Sequence, residues 1–297
     1  MKSVGGLVAK LEALQELAKE RALEEHEAKP PAPQQNKNNV VQLPLWSDAF
    51  RAVPNSFLRS ALFGAIRKGR RRFIKGEPLA ALDGIEIHYT GERLDQGDLD
   101  VWEALLHAVR DQNLGSECRV TSYALLKLMG KTDTGKNRKT LLTRIERLRA
   151  NAIRLKQGHH VYIGGLVDEA YKDEETQEWV IVLNPRLRAL YGPDQFTQVE
   201  WAVRHEIDGQ QLAQWLHGFY ASHAKPFPIK VETLHQLCGS EAVLMSDFAK
   251  KLRKALGALA EASAAHGASF GYEVREGLVH VKKAGSRAQR RHLARKR

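Results

Sequence analysis

Cysteine is scarce in this sequence of 297 residues, which contains only Cys118 and Cys238. The two lie far apart in the chain, and each stands within a short apolar stretch. Small secreted domains depend on several paired cysteines, and structural zinc sites depend on clustered ligands. The scarcity therefore excludes a disulfide framework and a cysteine-rich zinc site, and it predicts two reduced, buried thiols.

Long apolar runs and familiar catalytic motifs are also missing. No stretch approaches the roughly 18 apolar residues of a membrane span, and the N-terminus lacks the apolar core of a signal peptide. The P-loop, HExxH and GxSxG motifs do not occur. We therefore expect a soluble cytoplasmic protein that has no membrane partner, uses no cofactor or metal and is not an enzyme.

Positive charge, in contrast, is plentiful. The 46 lysines and arginines outnumber the 35 aspartates and glutamates, which gives a formal net charge of +11. Clustered cations gain free energy when they release counterions from nucleic-acid phosphates. The balance is typical of a protein with a polyanionic partner, although many solvated surfaces are also basic.

Composition divides the chain into five segments. Residues 1–28 place leucines at helical spacing among lysine and glutamate, which predicts an amphipathic helix or a disordered segment. Residues 29–50 begin with a proline-rich, flexible linker. Residues 51–196 and 197–284 predict two globular domains, and residues 285–297 form a basic tail that we expect to be disordered and to add phosphate affinity.

Two helices are predicted early in the first domain. Residues 56–66 have apolar side chains on one side, with Ser56 as the cap, and residues 98–110 repeat an apolar side at 3-4-3 spacing. The nearby acids Asp95, Asp98 and Asp100 suit a helix N-terminus, which we favour over a catalytic pair of carboxylates.

The chain contains an internal repeat. VTSYALLKLMG, which begins at Val120, resembles IKVETLHQLCG, which begins at Ile229, and the two copies end at Gly130 and Gly239. Each copy predicts a short helix after a strand end, and a polar turn and a longer helix follow each one. The pattern predicts a helix-turn-helix twice.

The longer helix of each copy separates apolar from basic residues around its axis. The residues predicted to face the core are Leu141, Ile145, Leu148, Phe248, Leu252, Leu256 and Leu259. The candidate DNA-binding residues are Lys136, Asn137, Arg138, Lys139, Thr143 and Arg147 in the first helix and Ser246, Lys250, Lys251, Arg253 and Lys254 in the second. A solvated face would also be rich in lysine, but two basic helices in matched surroundings favour contact with the major groove.

A β-hairpin is predicted after each helix-turn-helix, around Gly158 and around Gly277. Such a hairpin is the wing of a winged helix. The first hairpin also contains His159 and His160, which invite a metal-dependent nuclease hypothesis with Tyr162 as nucleophile. Adjacent histidines on one strand point to opposite faces, so this hypothesis is poorly supported.

A run of cations spans Arg67 to Arg72 and is interrupted only by Gly69. Runs of this kind are usually solvated loops. Arg70, Arg71 and Arg72 become DNA contacts only if the fold points them at the duplex.

Several stretches together resemble a known family. They are AVPNSFLRSALF, IHYTGERLDQGDLDVWEALL, KTDTGKNRKTLLTRIERLRANAI and FYASHAKPFPIKVETLHQLCGS, within residues 42–283. The chain is similar to the TrfA-like plasmid replication initiators among the winged-helix Rep initiators. The resemblance implies an α+β fold with two tandem winged-helix domains, binding to iteron repeats in double-stranded DNA, and melting of an AT-rich element whose single strands are a further partner.

The resemblance also implies host partners in the bacterial cytoplasm: DnaA, the replicative helicase and the sliding clamp. The pentapeptide QLPLW resembles a clamp-binding peptide, in which Leu43, Leu45 and Trp46 would supply the apolar contacts and Gln42 the polar ones. The alternative is that these side chains pack onto the first domain. Monomer and homodimer both stay open as the active form.

A second function class uses the same DNA-contacting residues. A winged-helix transcriptional repressor would occupy an operator and would need no peptide that recruits a replisome. Tandem repeats of about 20 base pairs beside an AT-rich stretch would favour an initiator.

Overall fold

A computed structural model describes residues 46–67, 69, 71–110, 117–158, 160–192 and 194–295 of the chain. Helices and strands alternate throughout this part, which confirms the α+β expectation. The amphipathic helix and most of the linker predicted within residues 1–45 lie outside the described residues.

Short strands and helices make up the part of the chain before residue 201. The strands are β1 (Phe50–Pro54), β2 (Phe63–Gly64), β3 (Phe73–Leu79), β4 (Ile85–Glu92), β5 (Leu94–Asp95), β6 (Glu117–Thr121), β7 (Ala152–Gln157), β8 (His160–Gly164), β9 (Glu169–Lys172), β10 (Glu178–Val182) and β11 (Phe196–Glu200). The helices are α1 (Asn55–Leu58), α2 (Gln96–Val109), α3 (Ser122–Leu128), α4 (Gly135–Arg149) and a 3₁₀ helix (Pro185–Tyr191).

Helices predominate after residue 200. They are α5 (Trp201–Glu206), α6 (Gln211–Ala221), α7 (Val231–Leu237), α8 (Met245–Ala265) and α9 (Arg287–Arg295). The strands are β12 (Ile229–Lys230), β13 (Phe270–Arg275) and β14 (Leu278–Lys283).

Buried apolar side chains form two clusters. The first core runs along the chain from Trp46 to Val199, with Trp102 of α2 fully buried, and the second core runs from Val203 to Val281. The change of cluster lies close to the domain boundary predicted between residues 196 and 197, which stays a prediction.

The internal repeat forms two strand–helix–turn–helix units with the same local chemistry, here called the first and second units (β6, α3, α4 and β12, α7, α8). Gly130 ends α3 with φ +64° and Gly239 ends α7 with φ +61°. In each case the following amide closes the helix on a carbonyl five residues back, Lys131 N on Leu126 O and Ser240 N on His235 O. This left-handed closure favours glycine, which explains its place in both copies.

Both units continue into a three-stranded antiparallel sheet of the same order. The first strand of the first unit, β6, belongs to a sheet of order β6-β10-β9. The first strand of the second unit, β12, belongs to a sheet of order β12-β14-β13. The hairpin predicted around Gly277 is therefore the one that pairs with β12.

The wing predicted for the first unit was wrong. The hairpin around Gly158 does form, as β7 and β8, but it extends a different sheet of order β3-β4-β7-β8. The hairpin that pairs with β6 is β9–β10. Its turn contains no glycine: Gln177 takes φ +59°, and the Asp173 carboxylate accepts from the amides of Glu175 and Thr176. The side chain of an aspartate supplies the turn signal there.

The helix predicted over residues 56–66 was wrong beyond its first turn. Only α1 is helical, and Phe63–Gly64 then pairs in parallel with Leu94–Asp95. Phe57 and Phe63 are both fully buried and pack around Trp102, with the Phe57 and Trp102 ring centroids 5.1 Å apart. A one-sided apolar stripe is typical of a surface helix, and this segment is buried on more than one side, so its apolar spacing does not indicate a helix.

The acids before α2 cap that helix, as predicted for its N-terminus. The Asp95 carboxylate accepts from the Asp98 amide at 3.0 Å, and the Asp98 carboxylate accepts from the Asp95 amide at 2.9 Å. This reciprocal pair satisfies two amides that the helix itself leaves free.

The basic tail was predicted to be disordered, and this was wrong for residues 287–295, which form α9. Gln289 holds the start of the helix: its amide nitrogen donates to Ala221 O at 2.6 Å, and its side-chain oxygen accepts from the Ser286 amide at 3.0 Å. The Lys283 ammonium donates to the same oxygen at 3.2 Å.

Two further findings concern the described residues alone. Cys118 and Cys238 are free thiols, and both are buried. None of the described helices combines the length and the hydropathy that a membrane crossing requires.

Candidate nucleic-acid interface

The apolar sides of the two longer helices face the cores as predicted. Leu141, Ile145 and Leu148 of α4 are buried, and so are the predicted core residues of α8. Each helix therefore has one side fixed against its own unit, and the opposite side carries the candidate DNA contacts.

On α4 the candidates divide into free and engaged side chains. Lys136, Lys139 and Thr143 are exposed, and the Thr143 hydroxyl donates to Lys139 O at 3.1 Å. Arg138 is exposed but pairs with Asp133, with its Nε 2.6 Å from Oδ1. The Asn137 amide donates to Thr132 O at 2.8 Å and so belongs to the turn before the helix.

The prediction that Arg147 lies on the outer side of α4 was wrong. Its side chain is 10% exposed; Nη1 lies 2.6 Å from Asp98 Oδ1, and Nε lies 3.0 Å from Glu92 Oε2. Arg144, one turn earlier, contacts both Asp95 and Asp98. Arg144 and Arg147 are thus both turned toward acidic side chains and not toward solvent.

Arg71 of the basic run belongs to the same ion cluster. Its side chain is 8% exposed, and its guanidinium reaches Asp95 at 2.5 Å and Asp98 at 3.3 Å. Burial opposes the ionisation of Asp95, but Arg144 and Arg71 outweigh it and lower the pKa of that carboxyl to about 2. Arg71 therefore faces carboxylates and not solvent, and its role as a DNA contact stays a prediction.

The rest of the run is distributed differently. Arg72 is exposed and pairs with Glu77 at 2.5 Å. Arg70 lies outside the described residues. Sequence reasoning missed the role of Arg71 because its partners lie 24 and 27 positions later in the chain.

A groove with a volume of about 520 Å³ separates α3 and α4 from the β9–β10 hairpin. Tyr123, Lys139, Leu142 and Lys172 line it, and Tyr123 is 56% exposed. At its base the Trp179 indole donates to the Ser122 hydroxyl at 3.0 Å. Tyr123 and Lys172 are candidates that the sequence did not reveal, because the hairpin that completes the groove was not recognised.

The outer side of α8 is more open than that of α4. All five candidates on it are exposed: Ser246, Lys250, Lys251, Arg253 and Lys254. Within the described part of the chain, none of these four cations has an acidic group within ion-pair distance. This side therefore offers a continuous set of free cations to a polyanion.

Two residues that precede the second unit by more than 130 positions hold its turn. The Arg93 guanidinium donates to Gly239 O at 2.8 Å and pairs with Glu241 at 3.1 Å. The Ala65 amide donates to Cys238 O at 2.7 Å. The turn between α7 and α8 is thus fixed by the part of the chain before residue 94.

A buried arginine joins the two cores. Arg204 of α5 lies with Nε 2.7 Å from Asp100 Oδ1 and 3.5 Å from Glu103 Oε2, and it donates to Gln96 O at 3.1 Å. All three partners belong to α2. Helix α2 of the first core therefore holds α5 of the second.

Trp46 is packed into the first core, which fits the alternative that this side chain packs onto the first domain, and its clamp-binding role stays a prediction. It is 6% exposed, and its indole donates to His107 Nδ1 at 3.1 Å. Burial lowers the pKa of His107 to about 4, so the ring is neutral and Nδ1 can accept, while Nε2 donates to Asp48. Gln42, Leu43 and Leu45 lie outside the described residues.

The nuclease hypothesis finds no support in the described residues. Tyr162 is buried, its hydroxyl donates to Gly165 O at 2.5 Å, and burial raises its pKa further above the ordinary value. Among the residues that the structure describes, no group of three or more His, Cys, Asp or Glu is placed to hold a metal ion.

The chain is similar to a protein family, to a plasmid replication protein and to solved structures. A family model described as TrfA protein matches residues 5–283. Plasmid replication initiator protein TrfA of Escherichia coli is 26% identical over 246 residues, which cover 80% of this chain and 63% of that protein. The chain thus spans less than two thirds of the relative's length.

Among solved structures, a selenomethionine crystal structure of domains 2 and 3 of RctB is similar, with a TM-score of 0.50 and 14% identity. The match covers 74% of this chain and 94% of that one. At this identity the likeness concerns the fold alone.

Proposed function

Because the chain belongs to the TrfA family, whose model matches residues 5–283, we propose that it is a plasmid replication initiator. It binds iteron repeats at the plasmid origin through two winged-helix units. It acts in the bacterial cytoplasm on double-stranded DNA and has no catalytic role of its own.

The observation that carries this proposal is the repeated topology. Each unit has a strand, a short helix closed by glycine, and a longer helix, and a hairpin then returns to pair with the first strand. In a winged helix this arrangement presents the longer helix to the major groove and the hairpin to the sugar–phosphate backbone. Two copies with outward-facing cations fit a protein that contacts a repeated DNA site twice.

The two helices are expected to contribute unequally. The outer side of α8 carries free cations, whereas on α4 Arg138 pairs with Asp133 and Arg147 pairs with Asp98. Each free cation that neutralises a phosphate releases counterions, so α8 supplies the larger share of the salt-dependent affinity. The first unit adds the groove lined by Tyr123 and Lys172, where the hairpin and α4 would meet the DNA together.

One chain is expected to bind one repeat. Successive major grooves on one face of the duplex lie about 34 Å apart. When one unit is bound, the contact of the other becomes intramolecular, so a monomer binds tightly without a partner subunit. A homodimer would then be a storage or regulatory form.

Origin opening and host recruitment belong to the same proposal. After binding, the chain promotes melting of an adjacent AT-rich element and engages DnaA, the replicative helicase and the sliding clamp. Clamp binding through QLPLW would have to proceed with Trp46 in its buried position or release it from its hydrogen bond to His107. The cost of that release argues for a clamp contact that uses residues before Trp46.

Footprinting on the DNA that flanks the gene tests the two-unit mechanism. We expect protection in two successive major grooves of each repeat, and protection confined to one half would contradict it. A replication assay separates initiator from repressor. A plasmid that carries these repeats should replicate only when the chain is supplied in trans, whereas transcriptional repression without replication would favour the repressor.

A further inference from the structure

A second groove, with a volume of about 440 Å³, lies beside α8. Its cationic lining comes from two distant parts of the chain: Arg67, which follows β2, and Lys251 and Lys254 of α8. Leu212 and Ala213 of α6 form part of the wall. We refer to it as the Arg67 groove.

The segment that carries Arg67 is fixed against the second unit. Ala65, two residues earlier, donates its amide to Cys238 O at 2.7 Å. Gly64 allows this approach, because a Cβ there would lie 3.3 Å from the same carbonyl oxygen and 3.2 Å from the Arg93 guanidinium. The position of Arg67 is therefore set by main-chain contacts rather than by the basic run itself.

The three cations of the groove are not engaged in ion pairs with the described residues. Within the described residues, Arg67, Lys251 and Lys254 make no ion pair, and the acidic residue of the lining, Glu241, is engaged by Arg93. All three are exposed, so water and salt screen their mutual repulsion. An anion that displaced this solvent would gain from all three at once.

The groove borders the side of α8 that faces DNA in the proposed function. Lys250 and Lys254 lie one turn apart on the outer side of the helix, and Lys251 lies about 100° further round toward the groove. Lys254 belongs to both surfaces. A helix seated in a major groove has backbone phosphates along each flank, which is where the Arg67 groove opens.

We propose that the Arg67 groove binds one backbone phosphate of duplex DNA beside the major groove that α8 occupies. The inference rests on the proposed function and adds Arg67, a residue from outside both helix-turn-helix units, to the DNA-contacting set. A guanidinium can donate two parallel hydrogen bonds to a phosphate, while the two ammonium groups supply charge around it. The second unit then depends on the segment after β2, far earlier in the chain, for one of its phosphate contacts.

The test measures how the affinity of the Arg67→Ala variant for origin repeats depends on salt concentration. Arg72→Ala is the matched control, because Arg72 stands in the same run but pairs with Glu77 and does not line the groove. Arg67→Ala should lower the slope of log Kobs against log salt by about 0.9 and weaken binding roughly tenfold. Arg72→Ala should leave both nearly unchanged.

Lys250→Ala separates this inference from the proposed function. If Lys250→Ala lowers the slope and Arg67→Ala does not, the groove holds no phosphate and the two-unit mechanism stands. If the unaltered chain shows no preference for the repeats, both ideas fall together. Circular dichroism of Arg67→Ala should be unchanged, since an exposed side chain without an ion pair contributes little to folding.

Two further measurements identify the phosphate. Replacing single phosphates by neutral methylphosphonates should reveal one position that weakens binding of the unaltered chain and has no effect on Arg67→Ala. A titration with ATP in the absence of DNA examines the other source of phosphate. Saturable ATP binding that Arg67→Ala abolishes would assign the groove to a free nucleotide and overturn the DNA proposal.

Discussion

Replacement of Glu103 by glutamine changes one charge at the junction of the two cores. Glu103 is fully buried in α2, and neither carboxylate oxygen has a hydrogen-bond donor among the described residues, although Arg204 Nε lies 3.5 Å away. Burial raises the pKa of this carboxyl from an ordinary value of 4.5 to about 7, with the attraction of Arg204 opposing the shift and the charge of Asp100 adding to it. Glutamine has nearly the same shape as glutamate, but its amide does not ionise in this pH range.

The direction in which pH changes the free energy of unfolding depends on how many protons the carboxyl binds in the folded and in the unfolded chain. Below pH 4.5 the carboxyl is protonated both in the folded and in the unfolded chain, so it contributes nothing to the pH dependence. Between pH 4.5 and about 7 the unfolded chain has released the proton and the folded chain still holds it, so the free energy of unfolding falls as pH rises. The full loss corresponds to about 3 kcal/mol.

Urea unfolding of both proteins, followed by circular dichroism between pH 5 and pH 8, measures this effect. Any cost of placing an amide in the site is independent of pH, so the informative quantity is the difference between the variant and the unaltered chain. That difference should shift by about 2–3 kcal/mol in favour of Glu103→Gln across the interval. A difference that stays constant with pH would refute the reasoning and would mean that Glu103 ionises normally in the folded state.

Three further predictions concern DNA binding and stability. Lys250→Ala combined with Lys254→Ala should reduce the salt slope of DNA binding by about 2, measured by fluorescence anisotropy, and an unchanged slope would remove both residues from the interface. Arg147→Ala should lower the free energy of unfolding by about 1–3 kcal/mol in urea titrations, because it removes an ion-pair partner of buried Asp98. A lower salt slope of DNA binding at unchanged stability would instead identify Arg147 as a DNA contact. Trp46→Ala should cost about 3–5 kcal/mol in the same titrations, whereas a clamp-binding side chain free in solvent would cost almost nothing.

The repeat was predictable because its signals are local. Leu141, Ile145 and Leu148 follow helical spacing, and Gly130 marks a left-handed helix end whose requirement does not depend on the rest of the fold. The same signals recur in the second copy, at Gly239 and along α8. Periodicity and backbone sterics thus decide these elements before any tertiary contact forms.

The sequence was less informative where distant residues decide the outcome. Arg147 and Arg71 are basic residues close to the predicted DNA contacts, yet the Asp98 carboxylate of α2 binds both of them. Trp46 ends a peptide that resembles a docking motif, yet its indole donates a hydrogen bond to a histidine 61 positions later. The charge of a residue and the motif around it indicate what its side chain can bind. The fold determines which of these partners lies within contact distance.

The contacts between the two cores also set a length scale. Arg204 fixes α5 against α2, and Arg93 fixes the turn before α8, so the offset between α4 and α8, the two helices proposed to contact DNA, is part of the folded structure. Under the proposed function, a chain with this fixed offset would bind its two contact sites at only one spacing along the duplex. Each base pair added between its two contact sites moves one of them by 3.4 Å and turns it by roughly a tenth of a helical turn, so repeat spacing becomes a recognised property of the origin alongside base sequence.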